Sequence, residues 1–373
     1  HTSMNDNEEY YKYHSGAPNL EEYKLACNEL KKRIEEISHK AGININPPIN
    51  IEIEPIASPE NSEKMIPAYS EAILKIGETQ NIIALDADLV LDTGLIPFKE
   101  KFPDRFIECG IAEQDMVSQA GTIALSGLIP IVHSFACFLT TRASEQIYNN
   151  ASQNGKVVYV GSLAGLLPAG PGHSHQAVRD FTGMFAMPGI TIIEPVNANQ
   201  VKLSLDWAVK INPNSTYIRL TSVPYKQTEM LNAINSLETG IGDILEVGQD
   251  ITLITFGPIF SYIAFEIKEI MDEMDISLNI ISTPWINKID IPWLKKAIGE
   301  TKMIVTLENH YRESGVGSLY ISEMASEGLL ENRKSLNIGI DELPKCGRNE
   351  EVLEYHGLTA EQISKKIIQK FNA

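Results

Sequence analysis

Six short runs between residues 81 and 222, NIIALDAD, RFIECG, IPIVHSF, KVVYVGS, ITIIEP and TYIRLTS, are apolar along most of their length rather than at alternate positions. A strand with one face in water alternates, whereas a strand covered on both faces does not. Helical spacing marks SEKMIPAYSEAILKIGE and residues 115–126, 142–152, 176–185 and 197–210, which lie before and between these runs. Strand and helix in alternation imply a parallel sheet with helices on both sides. Ligands on such sheets collect at the carboxyl ends of the strands, and Asp88, Glu113, His133, Phe135 and the loop after Ser162 fall at or near those ends.

After the polar stretch SVPYKQTEMLNAINSLETG the alternation resumes. DILEV, ITLITFG, LNIISTP, MIVTLEN and SLNIGID read as strands, with helices near residues 261–273, 291–298, 316–327 and 360–371. The expected fold class is therefore α/β, with two consecutive three-layer α/β/α domains over residues 58–230 and 231–373. A chain of 373 residues, 43% of them hydrophobic, can bury two such cores. Residues 1–57 read as a helical and extended N-terminal arm. In it, residues 20–37 form a charged amphipathic helix with Leu25, Leu30 and Ile34 near helical spacing, and NINPPINIEIEP reads as an extended linker.

The net charge of -18 argues against nucleic acid or an anionic membrane as partner. Residues 120–139 are apolar enough to suggest a span, but Ser126, Gly127, Pro130, His133 and Ser134 interrupt them, so helix, turn and buried strand is the better reading. Cys27, Cys109, Cys137 and Cys346 show no paired spacing, which suits a reducing, cytoplasmic setting. His1, Thr2 and Ser3 ahead of Met4 read as a vector-derived extension, with no signal-peptide pattern after them.

Gly110 breaks the strand that ends near Cys109, which sets Glu113 at a strand-to-helix corner. Taken alone, a carboxylate there complements the helix dipole. Phe135 and Phe138, three apart, would ordinarily be core. In SLAGLLPAGPGHSHQAVRD, glycines and prolines allow an exposed turn that presents His173 and His175, either as a surface turn or as a metal-ligating pair.

Together, GIAEQ and, some twenty residues on, SFACFLTTRASEQ resemble the pyrimidine-binding domain of the transketolase family of thiamine diphosphate enzymes. The resemblance implies that Glu113 binds N1' of the cofactor's aminopyrimidine as a partly protonated, activating acid, and that Phe135 and Phe138 stack on the ring. It adds Asp88, Leu89, Ile111 and Arg142 to the cofactor-binding set. SLAGLLPAGPGHSHQ is similar to the family's substrate loop, which implies that His173 and His175 bind substrate and that His175 also acts in catalysis. By the same resemblance Arg219 in YIRLTS contacts a substrate phosphate and Arg142 could supply a second cation; read from the residues alone, either is an ion-pair partner at the core edge. TLENHYRESGVGSLYISEM and the sequence after it resemble the family's C-terminal domain, in which His310 and Glu308 would be chiefly structural, near a dimer interface.

Departures from the family pattern are as informative. Leu163 stands where a histidine is expected, Pro171 where an aspartate reads an acceptor hydroxyl, VLDTG with Asp92 in place of a serine-containing segment, and Pro67 near the place of a phosphate-binding arginine. These changes dismantle the usual sugar-phosphate clamp and point to an atypical or nucleotide-linked sugar as acceptor. The GDG motif with which the family holds Mg2+ on the cofactor's diphosphate occurs nowhere in the sequence. HSGAP followed by EEYKLACNEL is similar to the tail of the pyrophosphate-binding domain, so the chain is expected to begin just after that domain. The implied protein is the pyrimidine-binding subunit of a two-subunit transketolase-like transferase. It would pair with a separate N-terminal pyrophosphate-binding subunit that binds most of the Mg2+, in an α2β2 heterotetramer acting on small sugars. Two other readings stay open: a 2-oxoacid dehydrogenase beta subunit or deoxyxylulose-phosphate synthase-like carboligase, and a non-catalytic scaffold.

Overall fold

The computed structural model describes residues 18–45 and 62–373. The leading residues 1–3, most of HSGAP and most of the NINPPINIEIEP linker lie outside the described residues. The chain divides into two units, residues 1–58 and 59–373.

In the first unit, α1 spans Leu20–Ala41, one turn beyond the predicted end. Its limits are set locally. Asn19 accepts the N–H groups of Glu21 and Glu22, and Glu22 returns a bond to the Asn19 N–H at 2.9 Å. At the other end Gly42 takes φ +65°, and the Ile43 N–H reaches Ser38 O at 3.0 Å.

Among its described residues the second unit contains a two-stranded antiparallel ribbon, Ser62–Glu63 with Tyr225–Lys226, and two larger sheets. The first is built from β1 (Ile82–Asp86), β2 (Phe106–Glu108), β3 (Ile129–Phe135), β4 (Val158–Ser162), β5 (Thr191–Ile193) and β6 (Thr216–Arg219), in the order β2-β1-β3-β4-β6-β5 with every pair parallel. β7 (Asp243–Glu246), β8 (Ile251–Thr255), β9 (Leu278–Ser282), β10 (Met303–Tyr311) and β11 (Lys334–Ile340) form the second, in the order β11-β10-β8-β9-β7. There β7 is antiparallel to β9 and the other pairs are parallel. The protein thus has two α/β domains. The predicted strands are all present; the interior strands are buried along nearly their whole length, as continuous apolar runs require, while the edge strands β2, β7 and β11 are only partly covered.

Helix limits differ from expectation at two places that matter. Helix α2 covers Met65–Thr79, and α3 (Glu113–Leu125) begins two residues early, so Glu113 is its first residue instead of standing ahead of it. The stretch after β3 folds directly into α4, Ala136–Arg142, before a further helix at Ser144–Ser152. ACFLTT reads by composition as a continuing strand, but Phe135 is the last extended residue and the Thr140 hydroxyl donates back to Ala136 O at 2.7 Å. Phe138 therefore lies on a helix, not in an extended segment before one.

The SGVG segment has a packing explanation. The Glu308 carboxylate on β10 accepts the N–H groups of Val316 and Gly317 at 2.8 and 3.0 Å, at the start of the helix Val316–Ser326. A Cβ on Gly315 would stand 1.9 Å from that carboxylate, so only glycine fits. His310 is buried against Phe181, ring centroids 4.7 Å apart, and burial pushes its imidazole down to about 4. Both residues are part of the domain packing.

Candidate active site

β1 ends at Asp86, whose buried carboxylate takes the Leu89 N–H at 2.7 Å and the Thr93 hydroxyl at 3.1 Å. That turn holds Asp88 exposed at φ +63° and Leu89 buried. Neighbouring β2 ends at Glu108, and its Oε1 accepts from the Asp88 and Gly110 N–H groups, both at 2.9 Å. One carboxylate therefore ties the Asp88 turn to the Gly110 turn. Ile111 follows, well exposed, and then Glu113, only 4% exposed.

From the far side α4 brings Arg142. Its Nη1 donates to Glu113 Oε1 at 2.6 Å, and its guanidinium lies 3.9 Å from the centre of the Phe138 ring. The Phe138 ring meets the His175 imidazole edge-on at 5.0 Å, and Phe135 stands 5.7 Å from Phe138 and 5.9 Å from His175. Ile111, Glu113, Asp115 and Arg142 line an open depression at the Glu113–Arg142 end of this cluster. Five residues expected to act together, Glu113, Phe135, Phe138, Arg142 and His175, are thus contiguous, with Ile111 on the same rim. His173 is exposed on the loop beside His175.

The loop carrying both histidines is fixed from the second domain, which the sequence did not disclose. Asn349 Oδ1 accepts the Ala169 N–H at 3.1 Å, Lys345 O accepts from the Gln176 side chain at 3.0 Å, and the Cys346 thiol donates to Gly170 O at 3.0 Å. The backbone of His175 itself donates to Gly172 O at 2.9 Å.

Arg219 departs from expectation. It is fully buried, and all five of its N–H bonds are committed: Nε and Nη2 to the two oxygens of Asp180, Nη1 to Glu194 and Asn309, and Nη2 also to Ala177 O. No donor remains for a substrate phosphate, so the core ion-pair reading is the correct one. His133 is likewise a core group: Nε2 lies 2.5 Å from the Tyr69 hydroxyl and Nδ1 3.0 Å from Leu85 O, and burial pushes the imidazole down to about 4.

Asp86 supplies a pH signature at the edge of the site. Burial foremost, aided by Glu108 and Asp88 against the bonds from Leu89 and Thr93, pushes its carboxyl up to about 8. The folded state keeps a proton that the unfolded chain releases near its ordinary value of about 4, so this contribution to stability is complete below that value. It is lost as pH rises towards 8. Asp86→Asn, which keeps both bonds by turning its amide towards Thr93, is expected to flatten that fall in urea-unfolding stability by up to about 1.4 kcal/mol per pH unit.

No group of three or more His, Cys, Asp or Glu side chains among the described residues is arranged to hold a metal ion. No helix among them is long and apolar enough to cross a membrane.

Comparison with known proteins agrees with this geometry. The family model of the transketolase pyrimidine-binding domain matches residues 64–226, and that of the transketolase C-terminal domain matches residues 240–363. A Methanocaldococcus jannaschii protein described as "Putative transketolase C-terminal section" is 33% identical over 308 residues, covering 81% of this chain and 94% of its own length. 1-Deoxy-D-xylulose-5-phosphate synthases of Clostridium tetani and Rhodococcus erythropolis are 28% and 29% identical over 81% and 80% of this chain, which spans only 48% and 46% of their lengths. Among solved structures, a "Split gene transketolase, inactive beta4 tetramer" superimposes with a TM-score of 0.72 at 28% identity, covering 82% of this chain and 97% of that one. Transketolase of Pichia stipitis in complex with sedoheptulose 7-phosphate shares the fold, with a TM-score of 0.68 at 16% identity over 85% of this chain and 47% of that one. Two family models in succession, and a one-third identical relative matched over nearly its whole length, show that the chain belongs to the transketolase family.

Proposed function

We propose that the chain is the pyrimidine-binding subunit of a two-subunit transketolase-like enzyme, which transfers a two-carbon ketol unit from a ketose donor to an acceptor carbonyl. The observation that carries this is the placement of a buried Glu113 carboxylate on the rim of a depression, joined through Arg142 to Phe138 and so to the Phe135 and His175 rings. That set fits the aminopyrimidine end of thiamine diphosphate: an apolar ring in half-buried Phe138, backed by buried Phe135, and one carboxylate near it. The likeness to a transketolase C-terminal section and to a split-gene transketolase chain supports a division in which a partner subunit holds Mg2+ and diphosphate. When bound, the cofactor supplies a carbon nucleophile for donor cleavage and acceptor addition.

The work of this chain's residues then follows. Glu113 holds or gives a proton at the ring nitrogen, Arg142 releases the carboxylate as the ring enters, and Phe135 and Phe138 exclude water from its face. His175, in contact with both aromatics, binds the donor's hydroxyls. Removing that bond by His175→Ala is expected to lower kcat/KM for the donor about tenfold to a hundredfold, the worth of one hydrogen bond of roughly 1.5–3 kcal/mol, with cofactor affinity changed little.

Leu163, buried at φ +52°, and Pro171, exposed, leave the substrate loop without two polar groups, which supports an atypical or nucleotide-linked sugar as acceptor. The synthase relatives favour a second reading, decarboxylation of a 2-oxoacid donor. The deciding experiment mixes this chain with a GDG-containing chain from the same genome and titrates thiamine diphosphate and Mg2+ calorimetrically, then offers ketoses and pyruvate. Binding by the pair alone with ketose turnover is the expected result. Tight binding by this chain alone overturns the two-subunit reading, and pyruvate turnover overturns the ketol-transfer reading.

A further inference from the structure

Residues 163–179 belong to the first domain by sequence and carry His173 and His175, yet much of this loop is housed by the second domain. Leu166, Leu167, Ala169 and Val178 are buried in one apolar cluster with Leu307, Ile338, Ile340 and Val352. At the entry, Gly165 lies so close to Asn309 of β10 that a Cβ there would stand 2.4 Å from the amide nitrogen. At the exit, the Tyr311 N–H donates to Val178 O at 3.0 Å.

Between these ends the loop meets one short turn, residues 345–349. Gln176, buried, donates from its amide nitrogen to Leu166 O and to Lys345 O, both at 3.0 Å. Only the NH2 of that amide can face two carbonyls, so its orientation is fixed and it ties both limbs of the loop to the second domain. A series of three hydrogen bonds then runs from Asn349 to the His175 backbone. Asn349 Oδ1 accepts the Ala169 N–H at 3.1 Å, Ala169 O accepts the Gly172 N–H at 3.1 Å, and Gly172 O accepts the His175 N–H at 2.9 Å. The Cys346 thiol holds the same stretch by donating to Gly170 O at 3.0 Å.

The turn chemistry of the loop alone would leave this stretch to close on itself through Gly172, a residue at φ +81° with no side chain to anchor it. Its anchors come from the other domain. We infer that the turn at residues 345–349 positions His175 against Phe138, with Asn349 and Cys346 as the positioning residues; for its effect on turnover this rests on the reading of His175 as the donor-binding group. A domain that contributes no side chain to the cofactor cluster thereby sets how well the donor is held.

The test makes Asn349→Ala with Cys346→Ala in the full chain, beside a restoring variant, Asn349→Asp with Cys346→Ser. A carboxylate at 349 still accepts the Ala169 N–H and suits the first turn of the helix Asn349–Tyr355, and a hydroxyl at 346 still donates. Hydrogen exchange is read at the His175 and Gln176 N–H groups, whose own bonds to Gly172 O neither substitution removes. Exchange there is expected to quicken about tenfold in the double alanine variant, as the loss of two neutral hydrogen bonds implies, and to recover in the restoring variant. Exchange in β1 and β3 should not change. With the partner chain added, donor KM is expected to rise about threefold to tenfold and kcat to change less, because the loop is competent to bind for a smaller fraction of the time. Thiamine diphosphate affinity should stay as it was. In a His175→Ala background the same substitutions should add no further loss, since the group they position is gone. Unchanged exchange at His175 and Gln176, equal quickening in β1 and β3, an unchanged donor KM, or an equal loss of kcat/KM with and without His175 overturns the inference. Absence of ketose turnover by the unsubstituted pair overturns the functional reading instead, and exchange in the full chain then still decides the positioning.

Discussion

Glu113→Gln is expected to lower turnover by the proposed two-chain enzyme by about 10²–10⁴-fold, the range for losing one well-placed general acid or base. The substitution preserves size and leaves an amide oxygen to accept from Arg142 Nη1, which now donates at 2.6 Å. Arg142 is about half exposed, so losing its charged partner strands no buried cation, and the thermal unfolding midpoint is expected to stay near that of the unsubstituted chain. Calorimetry should find cofactor affinity little altered, because the aromatic wall of Phe135 and Phe138 is untouched. Retained turnover in Glu113→Gln, with the fold and cofactor binding intact, removes Glu113 from the proton-transfer role and leaves it as a helix-end carboxylate. Loss of cofactor binding as well makes it chiefly a binding group.

The architecture around that residue explains why it is so placed. Gly110 at φ +67° turns the chain off the end of β2, the Ala112 N–H closes the turn on Gly110 O at 2.7 Å, and α3 starts at once. Glu108 braces the turn against the one after β1. The carboxylate thus stands at the carboxyl end of a parallel sheet and on the amino end of a helix, where bound ligands meet positive backbone dipoles.

Both sheets were legible in the sequence because their strands are apolar on both faces, and the position of IPIVHSF coincides with β3 residue for residue. The antiparallel setting of β7 was not, since a short edge strand carries no mark of its direction. Helix α4 escaped because apolar and β-branched residues in ACFLTT fit either state, and tertiary packing decided between them. At the site, adjacency of Glu113, Phe135, Phe138 and His175 rested on motif resemblance; the separate runs predict no contact between residues so far apart. Bracing by Glu108, Lys345, Cys346 and Asn349 left no local signal at all. Arg219 was misread for a similar reason: its partners Glu194, Asp180 and Asn309 lie 25, 39 and 90 positions away, so an arginine at a strand end showed nothing of its burial.

Arg219→Ala is expected to be the most destabilising single change in the chain, costing about 3–5 kcal/mol, the usual result of removing one partner from a buried ion pair. Here two carboxylates are left behind. Asp180 and Glu194 are both essentially inaccessible to water, and burial already pushes the Glu194 carboxyl up in spite of Arg219. Gly257 packs closely on Glu194: a Cβ there would come within 2.5 Å of Glu194 Oε1. The loss also spreads through the molecule, because Asn309 belongs to the second domain while Asp180 and Ala177 flank the loop that ends at His175. Urea unfolding should therefore show the lowered stability, and proteolysis under native conditions should find new cleavage between residues 163 and 179. Arg219→Lys offers a single ammonium in place of a fork and can meet only part of this set, so it should recover little. A compensated variant separates charge from packing. Arg219→Met combined with Asp180→Asn and Glu194→Gln removes the cation and both anions together, and is expected to regain more than half of the loss. If the triple variant is no more stable than Arg219→Ala, the cluster matters for the shape it fills and not for the balance of its charges.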